Sequence, residues 1–205
     1  MTAISFFGAL DILGTFVFGL SGAMLAIRQR CDLFGVLVLA AATGVAGGIL
    51  RDVLLGATPP AVLRSLWPIG LTCAAGLVAF FFGALIDRMT RPVMVLDALG
   101  LGVFAIAGCQ KALSLGVAAP GAVLLGVITA VGGGVVRDIM ANEVPRVLRE
   151  EVYALAALAG AAVYLGGLRA GLEETVAATI GLVLAVAIRL ASVRWGWNLP
   201  RAPWF

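Results

Sequence analysis

The sequence predicts an all-α membrane protein of seven transmembrane helices, arranged as two inverted three-helix repeats plus a seventh helix. Three observations predict it. Hydrophobic residues make up 62% of the 205 and charged residues only 12%. The apolar residues fall in runs of about 20, enough to cross a hydrocarbon core of ~30 Å at about 1.5 Å per residue. The chain also repeats itself at a fixed offset. A soluble domain carries about twice that share of charge, and the runs lack the period-two alternation of an outer-membrane barrel. The mean hydropathy of +1.11 agrees.

The first run, 4–27, has no basic residue before it and Arg28 and Arg30 after it. That is the reverse of a secretory signal peptide, so a spanning helix is expected. The next runs cover 33–56, 66–86, 92–111, 119–141, 152–169 and 172–192, each bounded by charged residues or proline. Pro59, Pro60 and Pro145 follow the second and fifth runs and account for their ends. No loop is long enough for a soluble domain. One transmembrane domain over 1–205 is expected: repeat 1 over 4–86, repeat 2 over 92–169, the seventh helix over 172–192 and a tail over 194–205. Trp195, Trp197 and Trp204 suit that tail to the headgroup layer, where it contacts membrane lipids. The seventh span has no repeat partner and is expected to complete packing or an oligomer interface.

The net charge is +3 and the basic residues are scattered through short loops, which argues against nucleic acid and for topology signals. Arg28, Arg30, Arg88, Arg91, Arg146, Arg149, Arg194 and Arg201 fall on one side, against Arg64, Lys111 and Arg169 on the other. The N-terminus is expected outside and the C-terminus in the cytoplasm. Glu143, Glu150 and Glu151 read as solvated loop, and Gln110 and Lys111 as groups snorkelling to the interface. Three cysteines without CxxC spacing and the absence of histidine argue against disulfides, metal sites and hydrolytic chemistry. No cofactor and no enzymatic activity are expected.

The repeat offset is 86 residues (97 − 11). It superposes Asp11 on Asp97, Gly14 on Gly100, Phe18 on Phe104, Gly22 on Gly108, Gly35 on Gly121 and Thr43 on Thr129. Without a gap it continues through Gly47-Gly48 and Gly133-Gly134, Arg51-Asp52 and Arg137-Asp138, and Pro59 and Pro145. Each unit holds an odd number of spans, so the second copy enters the membrane from the opposite side. The copies are then related by a pseudo-two-fold axis in the membrane plane, a common transporter design.

The candidate site follows from the same motif. The second and fifth spans carry Thr43, Gly44, Gly47, Gly48, Arg51 and Asp52, and Thr129, Gly132, Gly133, Gly134, Arg137 and Asp138. Each glycine weakens a helix by about 1 kcal/mol relative to alanine. Clustered glycines are expected to break or kink both helices at the midplane and to expose carbonyls to a permeation path between them. The alternative is close packing of the small-xxx-small kind. Leucine at Gly133 or Gly134 is expected to abolish transport while preserving assembly.

The charges beyond the glycines need partners, since one at the bilayer centre costs about 2.5–3.5 kcal/mol. Adjacent positions lie about 100° apart on a helix, so Arg51 and Asp52 are not expected to satisfy one another. Asp11 and Asp97 are the other candidates, with each Asp paired to an Arg across the pseudo-two-fold and the remaining carboxylates facing a cavity. Four Asp against two Arg give 2 − 4 = −2, a lining that favours cations. The alternative is that all six charges form closed structural ion pairs.

The pair GVAGGILRDVLLG and AVGGGVVRDIMANEVP, set in two three-helix repeats with a seventh helix, resembles the bacterial branch of the trimeric intracellular cation channel (TRIC) family, over nearly the whole chain. The resemblance implies a homotrimer in the bacterial inner membrane, one hourglass pore per subunit, permeant K⁺ and Na⁺, and bound lipid. It makes the six motif glycines kink positions, and Arg51, Asp52, Arg137 and Asp138 pore or gate groups. Animal members have a longer basic tail, which this chain lacks. The same repeat domain has been labelled a glycine transporter, and a site for a small zwitterion at the midplane is the competing expectation. A scaffold without a pore is the third.

Overall fold

Every expected span becomes a helix in the computed structural model, which describes residues 6–86, 92–149 and 152–197. They are α1 (Phe6–Arg28), α2 (Leu33–Leu54), α4 (Trp67–Ile86), α5 (Pro92–Ser114), α6 (Ala119–Met140), α7 (Val152–Arg169) and α8 (Glu174–Trp195). A short helix the sequence reading missed, α3 (Ala61–Arg64), follows α2, and a 3-10 turn (Arg146–Leu148) follows α6. Arg88, Arg91, Glu150, Glu151, Arg201 and Trp204 lie outside the described residues.

The helix ends show why the repeat folds the same way twice. α1 and α5 stop at residues with left-handed backbone, Arg30 (φ 59°) and Gly116 (φ 78°); α2 and α6 stop at Gly56 (φ 67°) and Asn142 (φ 55°). Both pairs are 86 positions apart. The amide after each donates back across the last turn: Cys31 to Ala26 O at 3.0 Å, Val117 to Ala112 O at 3.0 Å, Ala57 to Asp52 O at 2.9 Å and Glu143 to Asp138 O at 2.8 Å. These are Schellman closures, which satisfy carbonyls a helix end leaves orphaned. The geometry repeats although arginine and asparagine replace glycine in one copy each.

α1 and α5 are the most buried helices and pack on one another at the centre. α2 and α4 flank α1, α6 and α7 flank α5, and α2 meets α6 across the repeat axis. α8 covers α5 and α7. The outer face of α4 presents Phe80, Phe81, Phe82 and Leu85 outward, as a lipid-facing helix does. Gln29 Nε2 donates to Ala141 O at 2.8 Å and to Glu143 Oε1 at 3.3 Å. The ends of α1 and α6 therefore lie together, and Glu143 is tied to the first repeat.

Candidate functional site

Arg51 and Asp52 close α2, and Arg137 and Asp138 close α6. Adjacent residues do satisfy one another, against expectation. Arg51 Nε donates to Asp52 Oδ1 at 2.9 Å and Arg137 Nε to Asp138 Oδ1 at 2.9 Å, because a long arginine curls across the angle that separates the two positions. Nor do the pairs cross the axis. Arg51 Nη1 reaches Asp11 Oδ1 at 3.5 Å and Arg137 Nη1 reaches Asp97 Oδ1 at 2.7 Å, each within its own repeat. The second carboxylate oxygens are also engaged: Asp52 Oδ2 accepts from Ala61 N at 3.0 Å and Asp138 Oδ2 from Arg146 N at 2.9 Å. Asp52 and Asp138 thus fasten the short turn that follows to the helix before it, and of the two only Asp52 also borders the cavity described below.

The two clusters differ in access to water. Arg137, Asp97 and Asp138 are sealed, and Arg137 Nη1 also donates to Ser21 Oγ at 2.7 Å. Buried Tyr153 completes this cluster, with the Arg189 guanidinium 4.7 Å from its ring centroid, within cation–π range. Sequence reasoning named none of Ser21, Tyr153 or Arg189. A signal existed for Arg189, a lone charge inside the last apolar run; none marked Ser21 or Tyr153. At the Arg51 cluster the positions equivalent to Ser21 and Tyr153, each 86 residues away, hold Ala107 and Trp67, and the Asp11 side chain is 49% exposed.

Lys111 takes part there instead, its Nζ 2.7 Å from Asp52 Oδ1. The expectation that it only snorkels fails because α5 runs to Ser114, which keeps Lys111 on the helix beside the end of α2. With Lys111 and Arg189 counted, four Asp face four cations, and 4 − 4 = 0 replaces the expected −2 among the described residues. The charges gathered at the site therefore do not make the net negative lining expected from the motif alone.

The glycines do not break their helices: α2 and α6 are helical throughout. They serve close approach. A β-carbon on Gly47 would collide with the Thr129 carbonyl, and one on Gly133 with the Thr43 carbonyl, the same contact repeated about the axis. Gly132 faces Gly47 and Leu50. The two helices therefore touch backbone to backbone at this level, where a path between them was expected from the sequence. Thr43 and Thr129 donate to Leu39 O and Leu125 O, both at 2.6 Å, one turn back. Gly44 seats Thr72 of α4, and Gly134 lies against the Tyr153 hydroxyl, where a β-carbon would come within 2.7 Å.

The space is on the neighbouring face of α2. A cavity of about 30 Å³ is bounded by Asp11, Thr15, Gly44, Gly48, Arg51, Asp52 and Phe104, among others. That volume holds about two waters. Gly48 leaves room on this wall, since nothing but Arg51 Nη2 would approach its β-carbon, at 3.8 Å. Asp11 and Arg51 thus bring one carboxylate and one guanidinium to a water-sized space.

Comparison with known proteins fits this geometry. The glycine transporter family model matches residues 8–84 and 94–169, two segments whose starts are 94 − 8 = 86 apart. A UPF0126 membrane protein of Vibrio cholerae is 41% identical over 93% of this chain and 80% of that protein. The UPF0126 inner membrane protein YadS of Escherichia coli is 38% identical over 93% of each. The crystal structure of a TRIC trimeric intracellular cation channel orthologue from Rhodobacter sphaeroides superposes with a TM-score of 0.88 at 35% identity, over 92% of this chain and 97% of that one.

Proposed function

The chain belongs to the bacterial branch of the trimeric intracellular cation channel family, the membrane family that the glycine transporter model also describes, and from that premise we propose that it conducts monovalent cations, K⁺ and Na⁺, through one path in each subunit of a homotrimer. It needs no cofactor beyond the permeant ions and surrounding lipid. Relatives named as inner membrane proteins support the same location here, with the N-terminus outside and the C-terminus cytoplasmic.

The observation that carries this reading is the half-exposed Asp11 beside the water-sized cavity along α2. An exposed carboxylate at a pore entrance concentrates cations. The paired charges deeper in are neutral overall and so do not repel a cation by net charge. Gly44 and Gly48 shape the wall, and the contacts at Thr43, Gly47, Thr129, Gly132 and Gly133 hold α2 and α6 as its fixed frame. Arg51 and Asp52 line the accessible side, while Arg137 and Asp138, with Asp97 and Gly134, form the closed side that opens for conduction.

A second reading, transport of glycine or another small zwitterion, draws on Asp11 and Arg51 at the same cavity, since opposite charges suit the two ends of such a molecule. The cavity is small for it. A planar bilayer under a KCl gradient, with labelled glycine uptake into parallel liposomes, separates the two. Unitary currents reversing near the K⁺ equilibrium potential without saturable uptake support the channel; silent bilayers with saturable uptake support the transporter.

Gly48→Leu tests the path. Its β-carbon would meet only Arg51 Nη2, at 3.8 Å, and Gly48 lines the cavity that the rest of the side chain would occupy, so K⁺ current is expected to fall by about tenfold or more while size-exclusion behaviour in detergent stays that of the wild type. Normal current from that variant would place the path elsewhere.

A further inference from the structure

Phe18 of α1 and Phe104 of α5 occupy matched repeat positions (104 − 18 = 86), and their ring centroids lie 5.4 Å apart. Both are almost wholly buried, at 0% and 2% exposed, yet Phe104 forms part of the cavity wall. Each ring rests in a notch on the other's helix. A β-carbon on Gly14 would stand 3.0 Å from Phe104 Cζ, and one on Gly100 would collide with the Phe18 ring. Beyond the rings, a β-carbon on Gly133 would stand 2.9 Å from Phe18 Cδ2, and the next residue, Gly134, borders Asp97, Arg137 and Tyr153.

The order of contacts from one side to the other is therefore the cavity with Asp11 and Arg51, then Phe104, then Phe18, then Gly133, then the sealed Asp97–Arg137 cluster. Two polar clusters face each other across a pair of aromatic rings near the repeat axis. We infer that the Phe18–Phe104 pair is the barrier of the path: a hydrophobic constriction that excludes water between the clusters until the rings leave their glycine notches. A narrow apolar neck stops ions by dewetting as well as by size. Since the repeat operation exchanges the two rings, one pair blocks the path from either side. The inference rests on the channel reading and assigns that path its closing residues.

The test compares full-length wild type with Phe104→Ala, Phe104→Gln and Phe104→Leu in KCl-loaded liposomes, following K⁺ efflux and glycine movement on the same preparations. Alanine opens the neck and glutamine wets it, so both are expected to raise resting K⁺ efflux about tenfold or more. Leucine, smaller but apolar, is expected to raise efflux less than either. Wild-type efflux from well-folded alanine and glutamine variants overturns the barrier. A wild type that takes up glycine and passes no K⁺ overturns the channel reading instead. The barrier then stands if Phe104→Gln leaks glycine down its gradient and falls if it does not. Should the Phe104 variants fail to fold, Gly100→Ala, whose methyl would collide with the Phe18 ring and force it out of its notch, takes their place: raised efflux supports the barrier and unchanged efflux overturns it.

Discussion

Arg137→Leu is expected to lose about 3–5 kcal/mol of stability, the cost of leaving partners of a buried ion pair uncompensated, and to yield little monodisperse protein after extraction. Arg137 is fully buried between Asp97 and Asp138 and also holds Ser21. Removing it strands two carboxylates in a site that water does not reach, and the curl of the side chain that joins α5 to α6 is lost with it. The equivalent change in the other repeat, Arg51→Leu, is expected to cost less than half as much. Asp11 is half-exposed and is solvated when its partner goes; Asp52 keeps Lys111 at 2.7 Å and the Ala61 amide. Thermal unfolding of both variants in one detergent, read by size-exclusion recovery, checks the difference. Equal losses would mean that the two clusters are equally wet, and the assignment of one open and one closed side would be withdrawn.

The second large effect is expected at the contact between α2 and α6. Gly133→Ala and Gly47→Ala each place a methyl on a carbonyl of the facing helix, at Thr43 and Thr129 respectively. A backbone oxygen cannot rotate away as a side chain can, so the helices must separate, at the upper end of the about 1–3 kcal/mol that overpacking costs. Both variants should lower the melting temperature, Gly133→Ala by the larger amount, because its methyl meets the Phe18 ring as well as the facing carbonyl. Gly48→Ala, one residue from Gly47, meets only Arg51 Nη2 at 3.8 Å and is expected to be neutral or to gain up to about 1 kcal/mol from helix propensity. Leucine at Gly133, expected from the sequence to block transport in an assembled protein, is expected instead to prevent assembly. A stable, assembled Gly133→Ala protein would show that α2 and α6 are less closely packed than described.

Much of the fold was legible because it is written in one dimension. The seven apolar runs needed only the thickness of a bilayer to become α1, α2 and α4 to α8. The 86-residue offset announced the inverted repeat before any contact was known, and the structure repeats it in places the sequence hides, as where Arg30 and Asn142 take backbone conformations that glycine holds in the other copy. The short helix α3 was missed because a single turn carries no periodic signal. The candidate residues were the right ones to look at, since glycines and charges inside apolar runs are costly and must have a reason.

What the sequence alone determined is the set of helices, their inversion and the residues that had to be explained, because hydrophobic length, repeat offset and misplaced charge are properties of the chain itself. Only the tertiary structure decided what those residues do. Whether Arg51 reaches Asp52 depends on how an arginine curls, whether Gly47 kinks or packs depends on the carbonyl of Thr129 standing opposite, and whether Lys111 is an interface group or an ion-pair partner depends on one more turn of α5. The net charge of the site changed from −2 to zero because Lys111 and Arg189 come from distant segments. No count along a motif can include a neighbour brought there by packing.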